Sequence, residues 1–257
     1  MSDIDLYEAY KRTVASTEDG IICWWYFGVI AAHLDDGMEI PCTGCQTLMA
    51  FKVEHLSPTQ LRIDWLETCL LRDLERGELN DNFVNPITGR TSPLASTFYD
   101  GPVTYIVTKN GAGVDLEIRQ HEAEILSTSV TATVADGRIV FKQLEEKVRA
   151  FNQQSTGAPK VKGAHLQTQL LFTADLASAT DPATVSAASS GYYLAAVTGM
   201  ISKWMDFGDR KGNSTVKGVM HKAAADEIVD PKAWAIFQQK FPDFFDGERV
   251  SPKEWRK

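Results

Sequence analysis

The sequence predicts a mainly β protein: an antiparallel barrel or strongly curved sheet with a short helix at each end. Three observations carry that prediction. Runs rich in aromatic and β-branched residues recur along the chain, and Gly-containing turns punctuate them at short intervals. Residues 61–71 also alternate strictly, with Leu61, Ile63, Trp65, Glu67, Cys69 and Leu71 on one face of an extended strand.

The elements follow in order. Residues 4–15 predict a helix, because Leu6, Tyr10 and Val14 recur at fourfold spacing with charges on the other side. Residues 21–33 predict a long strand, and Asp35-Asp36-Gly37 turns it into a second strand over 38–53, interrupted near Pro41–Gly44. Residues 60–73 fit helix or strand; the alternation and the Arg76-Gly77 turn favour strand. Asn85-Pro86-Ile87-Thr88-Gly89 is a strong turn. Short strands are expected over 92–99, 103–109, 114–121 and 127–134, and a short helix over 143–152. Residues 154–163, clustered in Ser, Thr, Gly and Pro, read as a loop that would join two halves of one domain spanning 1–257. Residues 166–174 return to strand, and the Ala/Ser/Thr-rich stretch 178–191 reads as a loop or lid. Residues 192–204 fit strand or helix, and 214–221 a strand. A terminal helix is expected over 231–241, with Asp230 as N-cap and Pro231 at its first position.

Composition narrows the partners. The 257 residues carry a net charge of -8, which argues against a phosphate-backbone partner and weakly against anionic membranes. The acidic start, with Asp3, Asp5 and Glu8, does not read as a signal peptide, and no apolar run is long enough to span a bilayer as a helix. A cytoplasmic location is expected, with free thiols at Cys23, Cys42, Cys45 and Cys69. The single Cys42-Thr43-Gly44-Cys45 lacks a second ligand pair for zinc, and the five histidines form no recognisable metal set. No nucleotide-binding glycine motif and no serine nucleophile elbow is present. No cofactor and no metal are expected.

Two features point to chemistry. Glu67 is a lone carboxylate in an apolar row, so it must be paired, protonated or facing a polar cavity. Buried titratable groups favour functional sites, whereas a structural ion pair with Arg62, Arg72 or Arg119 is the plainer alternative. Cys23-Trp24-Trp25-Tyr26-Phe27 is the densest aromatic cluster. On a strand Trp24 and Tyr26 share one face and Trp25 and Phe27 the other; either row would wall a flat ligand or simply fill a core. Tyr99, before Asp100-Gly101-Pro102 at a strand end, is a candidate hydrogen-bond donor. His165, Gln167 and Gln169 form a polar row that would line a lumen or meet water.

The order of several landmarks resembles the domain-of-unknown-function 1838 family of bacterial and fungal proteins. These are Asp19-Gly20 leading into Trp24-Trp25-Tyr26-Phe27-Gly28, then Asn85–Gly89, then Gly101-Pro102-Val103. Trp204–Arg210 and Phe241-Pro242-Asp243-Phe244-Phe245 complete the set. The chain departs from the pattern at Pro41–Cys45, at Phe98-Tyr99 (where a histidine-containing segment is more usual) and over 178–191. The resemblance implies a soluble, mostly β protein, sometimes found beside secondary-metabolism or aromatic-degradation enzymes. It carries no catalytic residues over.

These readings converge on a calycin- or lipocalin-like barrel whose lumen holds one small hydrophobic or aromatic molecule. The leading expectation is a cofactor-independent isomerase, cyclase or lyase acting on an aromatic or polyketide-like metabolite. Glu67 would be its acid/base and Tyr99 a second catalytic group, with Trp24, Trp25, Tyr26 and Trp65 as the ligand wall. The alternative is a carrier that uses the same lumen and makes no bonds. An exposed strand edge would also permit a homodimer.

Overall fold

The computed structural model describes residues 4–94, 96–111, 113–121, 123–151, 161–223, 231–240 and 242. Ten strands form one antiparallel sheet: β1 (Gly20–Leu34), β2 (Glu39–Ser57), β3 (Gln60–Arg72), β6 (Thr97–Asn110), β7 (Gly113–Gln120), β8 (Ala123–Ala135), β9 (Arg138–Phe151), β10 (Val161–Asp175), β11 (Ser189–Thr198) and β12 (Gly212–Ala223). The short pair β4 (Asn82–Val84) and β5 (Thr91–Pro93) makes a separate ribbon between β3 and β6. Sheet order is β7-β6-β3-β2-β1-β12-β11-β10-β9-β8, an up-and-down path in which the first strand pairs with the last. The two sheet ends, β7 and β8, are consecutive in the chain and lie side by side. Across that seam the Thr128 hydroxyl donates to the Leu116 carbonyl at 2.6 Å. The predicted mainly β, barrel-like architecture is therefore what the chain adopts, nearly closed on itself.

One expected element is overturned. The segment predicted as a short helix from 143 is the second half of β9, paired with both β8 and β10. Its inward row runs Ile139, Phe141, Gln143, Glu145, Lys147, apolar and then polar, while Leu144 on the outward row is 38% exposed. That reversal of the usual in–out pattern erases the strand's period-2 signature. The interruption expected near Pro41–Gly44 is a bulge: the β1–β2 register slips between Ile30 and Ala31, opposite Pro41 to Thr43.

Helix α1 (Leu6–Val14) stops one end of the barrel. Asp5 caps it, accepting from the backbone N–H groups of Tyr7 and Glu8, and Tyr7, Tyr10 and Val14 are buried. Its last carbonyls need donors. Trp24 Nε1 reaches Val14 O at 3.1 Å, Ala187 N reaches Arg12 O at 2.8 Å, and Lys222 Nζ reaches Arg12 O at 2.7 Å. Lys222 also donates to the Ser186 hydroxyl at 2.8 Å, and desolvation holds its pKa well below the ordinary lysine range. The stretch 178–191, expected as a loop or lid, is part of this floor: it holds the end of α2 (Leu176–Thr180), buried Ala179 and Ala187, and the start of β11.

At the opposite end two sequence landmarks meet. Asn85 is fully buried and donates to the carbonyls of Met205 (2.7 Å) and Asp206 (3.0 Å), beside the single 3₁₀ turn Lys203–Met205. Its Oδ1 accepts from the N–H groups of Ile87 and Thr88, and Phe83 packs edge-on to Trp204 at 5.2 Å. Asn85→Ala orphans two carbonyls in the interior and destabilises the fold by about 2–3 kcal/mol, read as a lower urea midpoint at unchanged m.

The outer face of β1 to β3 is covered by α3 (Pro231–Lys240), whose Ala233 packs with Cys23, Trp25, Leu48, Leu66 and Leu70. Among the described residues no helix is long and apolar enough to cross a membrane.

Candidate functional site

Strand alternation decides what faces the lumen. From β1 come Ile22, Trp24 and Tyr26, paired across to Phe51, Met49 and Thr47 of β2. Met49 and Thr47 in turn sit opposite Glu67 and Cys69 of β3. Near the α1 end this interior is packed solid. Trp24 meets Phe172 edge-on at 5.1 Å and Tyr10 meets Phe141 at 5.3 Å, all four fully buried.

Further along the barrel the wall becomes polar. Tyr105 Oη donates to Glu145 Oε1 at 2.7 Å, and Gln143 Nε2 donates to the same oxygen at 2.7 Å. Tyr10 Oη donates to Gln143 Oε1 at 3.1 Å. Lys147 Nζ stands 3.4 Å from Glu145 Oε2, with both side chains sealed from solvent at 3% and 2% exposure. Burial, with the Glu145 charge adding to it, drives the Tyr105 pKa far above the ordinary phenol value. The Tyr105 ring stacks on Trp65 at 6.1 Å, and Tyr193 meets Tyr26 edge-on at 5.1 Å.

Among the described residues two buried donors in this region have no hydrogen-bond partner: the Trp65 Nε1–H and the Tyr26 hydroxyl, which lies near the Cys45 thiol. The Tyr26 pKa is raised far above normal, first by burial and then by the neighbouring Cys45, Tyr193 and Cys69. Polar side chains therefore run from Glu145 through Tyr105, Tyr193 and Tyr26 to the two thiols and Glu67. Buried donors are normally satisfied; the Tyr7 and Thr13 hydroxyls on α1 and the Trp25 indole N–H on the outer face share this lack of a partner among the described residues.

Glu67 projects from the inward row between Trp65 and Cys69, is only half-buried, and lies close enough for its charge to raise the Cys69 pKa. The β3–β6 register slips beside it, between Trp65 and Glu67, so that the segment around Gly101 bulges. Gly101 has φ of +112° and its backbone is pressed onto β3: a Cβ there would lie 2.7 Å from the Trp65 carbonyl. Bulges of this type re-aim side chains next to sites. Arg62 and Arg119, suggested as structural partners for Glu67, instead pair with Asp64 (2.9 Å) and Glu117 (2.7 Å).

The other expected site residues divide. Trp65 and Tyr26 face the interior, Trp65 two residues from Glu67 on the same row and Tyr26 two strands away from it. Trp24 also faces inward but is locked into the floor by Phe172 and the Val14 carbonyl. Trp25 is a correction: it points outward, stacked on Phe27 at 6.0 Å beneath α3, because its neighbours Trp24 and Tyr26 take the inward positions. Tyr99 lies in β6 opposite Thr68, and its side chain falls outside the described residues. His165 belongs to the outer surface, bonded to Glu146 at 2.7 Å. Gln143, Glu145, Lys147, Tyr105 and Tyr193 went unnoticed in the sequence. Gln143, Glu145 and Lys147 continue the Ile139–Phe141 row, but their polarity hid it; Tyr105 and Tyr193 lie on other strands.

All four cysteines are free and buried. Burial pushes the Cys23 thiol up to about 12 and the Cys42 thiol up to about 11, so neither is a ready nucleophile at neutral pH. In the unfolded chain thiols ionise near pH 8.5. There the unfolded state sheds protons that the folded state keeps, so stability falls as pH rises past about 8.5 and continues falling towards the folded-state values. Urea midpoints measured from pH 7 to 10 should show that fall, and Cys42→Ala should make it shallower. Among the described residues no cluster of three His, Cys, Asp or Glu side chains is arranged to hold a metal ion.

Fold and site together define an antiparallel up-and-down barrel with a helix-plugged floor and a polar, aromatic interior. No protein-family model matches the chain, and no curated protein matches it either.

Proposed function

We propose that the polar half of the lumen binds a small hydrophobic or aromatic molecule, and that Glu67 moves a proton on it without a cofactor. The reaction class is isomerisation, cyclisation or elimination of an aromatic or polyketide-like metabolite. The observation that carries this reading is the half-buried, inward Glu67 on the same strand row as Trp65, whose indole N–H, like the Tyr26 hydroxyl, has no partner among the described residues. An aromatic substrate would lie against Trp65 while the orphan donors hold its oxygens; a carboxylate at that wall suits proton abstraction next to a carbonyl.

A carrier function is the second reading, and the same orphan donors support it, since they describe binding and require no bond-making. One experiment separates the two. Protein incubated with a hydrophobic metabolite extract is desalted, and retained and converted compounds are identified by mass spectrometry. The enzyme reading expects a compound that wild type converts and Glu67→Gln retains unconverted. Retention without conversion by both proteins supports the carrier, and retention by neither ends both readings.

A further inference from the structure

We infer that the lumen ligand bears a carboxylate and that Lys147 receives it. This rests on the lumen being the binding site, as proposed above, and adds the chemical class of what enters it.

The argument starts from an imbalance inside the Glu145 cluster. Glu145 is well served: its Oε1 accepts from Tyr105 at 2.7 Å and from Gln143 at 2.7 Å. Those neutral donors stabilise the carboxylate on their own. Lys147 is poorly served. Its ammonium carries three donors, and among the described residues its one polar contact is Glu145 Oε2 at 3.4 Å, longer than a good charge-assisted bond. A lysine with 3% side-chain exposure that uses one long contact is incompletely compensated for the water it has lost.

Its position fits a ligand role. Lys147 shares the inward row of β9 with Gln143 and Glu145, two residues further from the apolar floor. Arg149 is the next position on the same row, further from the α1 floor. Glu145 and Tyr105 connect Lys147 to the face of Trp65, through contacts of 3.4 Å, 2.7 Å and a 6.1 Å ring stack. An aromatic body on Trp65 and a carboxylate on Lys147 are therefore compatible within one small molecule, with the Trp65 indole N–H as a further donor.

The test uses two probes that differ in charge and little else, 2-naphthoate and 2-naphthamide, titrated by calorimetry into the intact protein. Wild type should bind the acid at least about tenfold more tightly than the amide, the factor expected for one charge-assisted contact. Lys147→Met should erase that preference while leaving the amide unchanged. Glu145→Gln, which frees Lys147 from its competitor, should tighten 2-naphthoate and enlarge the rise in melting temperature that it causes. The double variant Glu145→Gln/Lys147→Met carries neither charge; it should bind both probes alike and keeps the test open if Lys147→Met folds poorly. Equal affinity of wild type for the two probes, or a preference that survives in the double variant, overturns the inference while the lumen reading stands. Binding of neither probe by wild type counts against both.

Discussion

Glutamine in place of Glu67 lowers turnover by about a hundred- to ten-thousand-fold, the range expected when a positioned general acid or base is removed. Ligand affinity stays nearly unchanged. The substitution keeps the side chain's length, shape and one acceptor oxygen, and removes only the group that can take a proton. The inward row Trp65-Glu67-Cys69 is fixed by pairing with Phe51, Met49 and Thr47, so the amide occupies the place of the acid. Glu67→Asp offers a finer control: it retains the carboxyl but withdraws it by one methylene, and near-attack geometry is sensitive to displacements of that size. Single-turnover kinetics with calorimetric affinities give the readout. A Glu67→Gln protein that turns over normally makes residue 67 structural.

Loss of Glu145 has the second large effect, on stability. Glu145→Leu leaves Lys147 buried without the one polar contact it makes among the described residues, and strands the Tyr105 hydroxyl and the Gln143 amide. Breaking a buried pair from one side costs about 3–5 kcal/mol. The double variant Glu145→Leu/Lys147→Met removes both charges and should recover a large part of that loss, since an apolar pair of similar volume is often as stable as the ion pair it replaces. Urea unfolding of the four proteins in this cycle yields the coupling directly. If Glu145→Leu is as stable as wild type, the network around Tyr105 does not hold the barrel wall together.

The legible parts of this chain are those where one face meets water and the other meets the core. The helix with Tyr10 and Val14 follows that rule, as does the first half of β3, where Leu61, Ile63 and Trp65 face the core and Arg62 and Asp64 are partly exposed; the Asn85–Gly89 turn could be named from its Pro and Gly. The rule fails in two places for physical reasons. On β1 both faces are buried, one by the lumen packing and the other by α3, so the sequence could not tell Trp24 from Trp25. On β9 the interior is the polar side, with Glu145 and Lys147 inward and Leu144 outward, so alternation of hydrophobicity pointed nowhere. The β9 members of the Glu145 cluster were therefore hidden in the segment read as a helix. A polar interior is where local pattern and global fold disagree, and such disagreements concentrate at sites.

The Asn85 and Trp204–Asp206 contacts bring two sequence segments together. They lie 120 residues apart in sequence and form one buried junction at the barrel end opposite α1. The floor is closed by Lys222, Trp24 and the 184–187 segment, and the Tyr10 hydroxyl joins it to Gln143 of the polar cluster.

A crystal structure of the protein with 2-naphthoate tests the central claim most directly. The account predicts ligand density inside the barrel, with the naphthalene ring against Trp65, its carboxylate at Lys147, and the Glu67 carboxyl on the same chamber wall. Density confined to the outer surface, or an interior filled by its own side chains with Glu67 turned to bulk water, would contradict it.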